Sequence, residues 1–169
     1  MSFTVTLSDA EILVCRTLGA MRSIVARAAN VKDAKIGDQS GADGDVDGMI
    51  GEYAFCKLFN VFPDIVPAPR SGSYDAIMVS KKRKVRVDVK TTRYKNGRLL
   101  ATKKGNSDVD VYVLATLIGN EVTFVGWAKR DVLCVDANLT DLGHGKGYGM
   151  DQKSLIELRV PEELMCLQS

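Results

Sequence analysis

Between Arg70 and Lys104 the chain carries twelve Lys or Arg and only two acids, Asp75 and Asp88. Lys90 follows Asp88 by two residues, so on a strand, where side chains alternate, that acid and that ammonium share a face. Two carboxylates brought together can share a hard divalent cation such as magnesium, which prefers oxygen ligands and keeps several waters. A cation there would stabilise charge developing on a phosphate and lower the pKa of a bound water, while the ammonium positions or polarises the nucleophile. That is the chemistry of phosphodiester hydrolysis. The plainer alternative is an exposed, salt-bridged strand face, because an isolated D-x-K tripeptide is a weak signal.

The element that must position these groups is Tyr74 to Tyr94. Tyr74 to Val79 is β-branched and aromatic, Ser80 to Lys84 is polar and basic, and Val85 to Thr92 alternates strictly. The pattern predicts a β-hairpin in which Val85, Val87 and Val89 face a core and Arg86, Asp88, Lys90 and Thr92 face the other way. Upstream, a helix is predicted over Gly48 to Asn60. Gly48 and Gly51 lie on one face of it, where they would admit a close neighbour and bring Glu52 towards whatever the helix packs upon. If that is the hairpin, Glu52 becomes a third carboxylate; an ordinary surface Glu is the alternative.

Asp75, Asp88-Val89-Lys90 and the helical Glu52, in this order, resemble the PD-(D/E)XK nuclease superfamily over about Asp47 to Trp127. Tyr74 stands at the leading Pro position, and the acid before the lysine is Asp. The resemblance implies an α/β fold: a restriction-endonuclease-like core, with a mixed β-sheet flanked by helices. It implies a magnesium-dependent deoxyribonuclease, with manganese able to substitute, that leaves a 5′-phosphate. Glu52, Asp75, Asp88 and Lys90 would be catalytic, and Asp75, Asp88, Glu52 and the backbone carbonyl of Val89 would hold the metal. Many enzymes of that superfamily act as dimers, so a homodimer is among the expectations. Gly126-Trp127 followed by a glycine-rich turn also looks similar to small nucleases of phages and mobile elements. A catalytically silent nucleic-acid-binding protein of the same fold is the competing reading.

DNA is the expected partner. The overall charge is only +2, but the hairpin region is strongly basic and the rest of the chain is net acidic. Arg70, Lys81, Lys82, Arg83, Lys84, Arg93, Lys95, Lys103 and Lys104 are the candidate phosphate contacts. A solvated turn and edge strand guarded against aggregation would use the same residues. No feature chooses among duplex, single-stranded or branched DNA and RNA.

At 169 residues, 46% hydrophobic and 26% charged, the chain suits one domain: an N-terminal helix at 9–29, a core at about 47–127 and an extension at 128–169. No apolar run approaches the ~20 residues of a membrane span and no signal pattern opens the chain, so a cytoplasmic location is expected, in the host cytoplasm if phage-encoded. Cys15, Cys56, Cys134 and Cys166 are scattered without a C-x-x-C pair and read as free thiols.

Ser8-Asp9-Ala10-Glu11 has the form of a capping box opening the first helix. Ile12, Cys15, Leu18, Ile24 and Val25 suit its packed face, and Arg16, Arg22 and Arg27 a more exposed one. Lys35 to Gly48 reads as an acidic loop. Asp43, Asp45, Asp47 and Gly48 fit the opening of an EF-hand, but Ala54 stands where the bidentate Glu is required, which speaks against calcium. Val61 to Ser73, with three prolines, reads as a connector, and Tyr94 to Ser107 as a basic loop or flap. Asp108 to Ile118 suits a strand buried on both faces, with its hairpin partner at Glu121 to Trp127 and a short helix from Ala128 to Leu133. Asp108 and Asp110 fall at the start of that strand. Thr140 to Met150, with His144 and Lys146, reads as an exposed glycine-rich turn. Ser154 to Val160 is predicted as a strand and Pro161 to Leu167 as a terminal helix.

Overall fold

The computed structural model describes residues 2–30, 41–67, 74–80, 83–103, 108–142 and 145–160. In chain order the elements are β1 (Phe3–Thr6), α1 (Asp9–Ala28), α2 (Gly41–Leu58), β2 (Ala76–Ser80), β3 (Arg83–Thr92), β4 (Leu99–Thr102), β5 (Val111–Ile118), β6 (Glu121–Lys129), α3 (Arg130–Leu133), β7 (Leu139–Asp141) and β8 (Lys146–Met150). Five strands form one sheet in the order β1-β6-β5-β3-β2, and three form a second in the order β4-β8-β7. The fold is therefore α/β with a mixed sheet.

α1 starts as the capping box predicts: Ser8 Oγ accepts from the Glu11 amide and the Glu11 carboxylate accepts from the Ser8 amide at 2.7 Å. Its packed face differs from expectation. Ile12, Cys15, Gly19, Arg22 and Ser23 are buried, whereas Ile24 is 62% exposed. Gly19 is what lets α2 lie so close, because a Cβ there would stand 2.7 Å from the Val46 Cα.

The acidic segment before Gly48 is not a loop over its described part. α2 begins at Gly41 and carries Asp43, Asp45 and Asp47 on its first two turns, so the helical backbone removes the calcium-loop geometry altogether. Helix α2 then crosses β3. A Cβ on Gly51 would fall inside the Thr91 side chain, so the glycine admits the strand as its placement suggested.

The predicted hairpin is present: Ala76 to Ser80 pair antiparallel with Val87 to Arg83. β3 then pairs in parallel with β5, and β5 pairs antiparallel with β6 around the Gly119-Asn120 turn, where Gly119 takes φ +62. β5 is buried on both faces, as its apolar run requires. One of its faces joins α2 and the odd-numbered residues Val87 and Val89 of β3 in the main core. The other carries Tyr112 and Leu114 and packs with Leu99, Ala101 and Met150 in a smaller core beneath the second sheet.

The second sheet corrects two expectations, and the segment after it a third. Within the presumed basic loop, Leu99 to Thr102 form β4, with Leu99 and Ala101 buried. Within the presumed exposed turn, Lys146 to Met150 form β8. The glycines there are close-approach residues, since a Cβ on Gly147 would meet the Ala101 carbonyl at 2.6 Å. Residues 154–160 make one bridge, Trp127 to Ile156, in place of a strand, while Leu158 and Val160 bury into the main core. The predicted terminal helix at 161–167 lies outside the described residues. No helix among the described residues is long and apolar enough to cross a membrane.

Candidate active site

The site begins where β2 begins. β2 is an edge strand that pairs with β3 only as far as Val87, so β3 runs on beyond its neighbour. Asp75 stands at that end. Its amide donates to the Val87 carbonyl at 2.8 Å, and its carboxylate Oδ2 accepts the Val89 amide at 2.7 Å. The side chain thus caps a backbone donor that β2 no longer reaches.

Asp88 and Lys90 project from the opposite face of β3 to the one that α2 covers. Asp88 sits in register with Tyr112, and Lys90 Nζ lies 6.0 Å from the centre of the Tyr112 ring. Lys90 Nζ is 2.6 Å from Asp88 Oδ1, an ion pair by distance. That oxygen is buried, with the ammonium as its close partner.

Glu52 approaches from the other side, the helix face. It is 6% exposed and lies 2.5 Å from Nη1 of Arg22, itself 8% exposed. Arg22 Nη2 donates to the Asp64 carbonyl at 2.7 Å. Burial works against the Arg22 charge, but Glu52 first, then Asp64 and Asp75, raise its pKa. Arg22 was expected on an exposed face. The spacing Cys15, Gly19, Arg22 in fact puts it on the buried stripe of α1, and a buried arginine needs a carboxylate.

Asp75 is where the two faces meet. Burial raises its pKa well above the ordinary carboxylate value, and the charges of Glu52 and Asp88 raise it further, against the smaller opposing effects of Lys90 and the Val89 amide. Mutual repulsion of this kind is what a shared dication relieves. The all-oxygen donor set fits magnesium better than a softer metal. Asp75, Asp88 and the neighbouring Val89 carbonyl are the donors that would hold it. Among the described residues no three His, Cys, Asp or Glu side chains are grouped closely enough to hold a metal. Glu52, committed to Arg22 on the other face, acts on Asp75 through charge.

The basic candidates are dispersed. Arg83 and Lys84 are exposed at the hairpin tip, and Lys95 and Lys103 are exposed after β3 and β4. Arg93 grips the buried Asp47 with two bonds of 2.6 and 2.7 Å, which fastens the start of α2 to the end of β3. Arg86 is similarly paired with Asp110, at 3.0 and 3.1 Å, which places Asp110 in an ion pair at the start of β5. Arg70, Lys81, Lys82, Lys104 and His144 lie outside the described residues. Cys15 and Cys56 are free and buried, and burial pushes each thiol up to about 12, with no reactive role.

A family model, described as a family of unknown function (DUF5843), matches residues 2–124. The chain belongs to this family. The matched span holds α1, α2, the hairpin and β5, and with them Arg22, Glu52, Asp75, Asp88 and Lys90. No curated protein and no solved structure matches the chain.

Proposed function

We propose that the protein is a magnesium-dependent deoxyribonuclease with a restriction-endonuclease-like core, acting in the cytoplasm, of the kind found in phages and mobile elements. The observation that supports this most is Asp75: a carboxylate at an open sheet edge, pressed by acids from both faces, with Lys90 alongside. Asp75, Asp88 and the Val89 carbonyl would hold the cation, which when bound supplies charge stabilisation to the phosphate and a more acidic water. Lys90 is 41% exposed, so its ammonium reaches solvent and can orient a water against the phosphorus or hold a phosphate oxygen. Water attack forms the new P–O bond and breaks the bond to the 3′ oxygen, leaving a 5′-phosphate and a 3′-hydroxyl. Arg22 holds Glu52 in place through their ion pair, so that its charge acts on Asp75 from a constant position.

A DNA-binding protein of the same fold without cleavage is the second reading. It is favoured by the commitment of Glu52 to Arg22, which takes the third carboxylate away from a metal.

The deciding experiment is cleavage of linear, single-stranded, nicked and four-way DNA with magnesium or manganese, with Asp88→Ala and Lys90→Ala in parallel. Loss of cutting by at least about 100-fold in both variants, with unchanged circular dichroism, is expected. Wild-type activity in either variant would eliminate the site. Binding without cutting by the wild type would select the second reading.

A further inference from the structure

Helix α1 is apolar on both sides. Its packed face, with Ile12, Cys15 and Gly19, is buried against α2 and the main core. The face turned to solvent carries Leu13, Val14, Thr17, Ala20, Met21 and Ile24, with Leu13 66% exposed and Ile24 62%. The only charged residues exposed on the helix are Asp9, Arg16 and Arg27. An exposed helix face is ordinarily charged, and a helix apolar all round is one that something covers. The arrangement of these residues selects the cover. At 3.6 residues per turn, Leu13, Thr17, Ala20 and Ile24 fall in a stripe about 60° wide. Val14 and Met21 flank it on one side, and Asp9, Arg16 and Arg27 on the other.

We propose that this face is the interface of a symmetric homodimer in which α1 packs antiparallel on α1 of a second copy. The inference is independent of the nuclease reading. A twofold axis between residues 18 and 19 sets Leu13 against Ile24 of the partner subunit and Thr17 against the partner's Ala20, with small residues at the centre, where the helices approach closest. On one flank it brings Val14 to the partner's Met21. On the other it brings Asp9 to the partner's Arg27, an opposite-charge pair that the symmetry repeats at the far end. A parallel pair would meet acid with acid and arginine with arginine at all three charged positions. The helix dipoles also favour the antiparallel arrangement. Arg16 alone gains no counterpart, and its two copies stay ~7.5 Å apart along the axis, where salt screens them. A seam along a helix ~30 Å long buries on the order of 1,000 Å² in total, at the low end for a specific interface, so the dimer should dissociate at roughly micromolar concentration. A lipid surface fits less well, because a helix lying on one needs a Lys- and Arg-rich polar side, and α1 turns that side to α2.

The test is sedimentation equilibrium of the full chain over about 1 to 500 µM, without nucleic acid. The wild type should pass from monomer to dimer within that range. Ile24→Glu places a charge in the centre of the stripe and should weaken the dimer by about 100-fold or more. Asp9→Arg and Arg27→Asp should each weaken it by about 5-fold, and the two changes together should restore it to within about 2-fold of the wild type. All three positions are exposed in the monomer, so the variants should fold, and circular dichroism with thermal melting verifies it. A wild type that stays monomeric throughout the range overturns the proposal. So does a dimer that Ile24→Glu leaves intact, or a folded double variant that fails to recover association.

Discussion

Asp75 shows the conflict between stability and function at a single residue. Its carboxyl is partly buried at the sheet edge, and its pKa is raised first by desolvation and then by Glu52 and Asp88. An acid whose folded pKa lies above its unfolded one binds its proton more tightly in the native state. Folding is therefore penalised progressively as pH rises through the ordinary carboxylate range, and the penalty is complete above the raised folded value. Asp75→Asn removes the charge and keeps an oxygen to accept the Val89 amide. It should abolish cutting while stabilising the fold at neutral pH by roughly 0.5–2 kcal/mol, with no gain near pH 3. Urea denaturation at the two pH values measures this, and an equal or lower midpoint at pH 7 would show that Asp75 carries no such strain. Asp75 and Asp88 stood out in the sequence because they interrupt a basic run, and Lys90 because it follows Asp88 by two residues. Arg22 was not recognised, because an arginine on an amphipathic helix defaults to solvent until a buried partner is known.

At the scale of elements, the site depends on how closely α2 lies on β3. Gly51 against Thr91 and Asp47 against Arg93 fasten the helix at two points, with Glu52 next to the first. Gly51→Ala forces a methyl group into a β-branched neighbour with little rotamer freedom. Although Ala is the better helix former, overpacking should win and destabilise the fold by about 1–3 kcal/mol. Denaturant titration would test this; a stabilised variant would mean that the helix can lift off the strand without loss. The Gly48–Gly51 spacing and the Val85–Thr92 alternation made α2 and the hairpin readable in advance. The second sheet was not readable in the same way. Gly147 and Gly149 look like turn residues in a sequence, and only the proximity of β4 shows that Gly147 lets two backbones meet while Gly149 makes room for the Arg98 and Leu100 side chains.

For the molecule as a whole, the basic stretch is less of a free cationic surface than its composition suggests. Arg86, Lys90, Arg93 and Arg98 are each paired with an acid, Arg98 with Asp151 at 2.7 Å. Long-range attraction then falls mainly to exposed cations such as Arg83 and Lys84 at the hairpin tip. Reversing these two to Glu should weaken DNA binding at low salt and flatten the dependence of log affinity on log salt by about 2. An unchanged slope would place the backbone contacts elsewhere. Pairing of this kind cannot be inferred from composition, because Asp47, Asp110 and Asp151 come from outside the basic window.

The sheet order also bears on how the chain is made. Phe3 pairs with Phe124 and Val5 with Val122, so β1 has no partner until β6 exists. At ~5–20 residues per second, a ribosome would need roughly 6 to 24 s to synthesise the intervening chain. The hairpin carrying Asp75 and Asp88 is local and can close as soon as it emerges, whereas β1, made before it, is among the last to dock. Through that interval Phe3-Thr4-Val5-Thr6 remains an unpaired strand-forming segment, open to a chaperone or to another nascent chain.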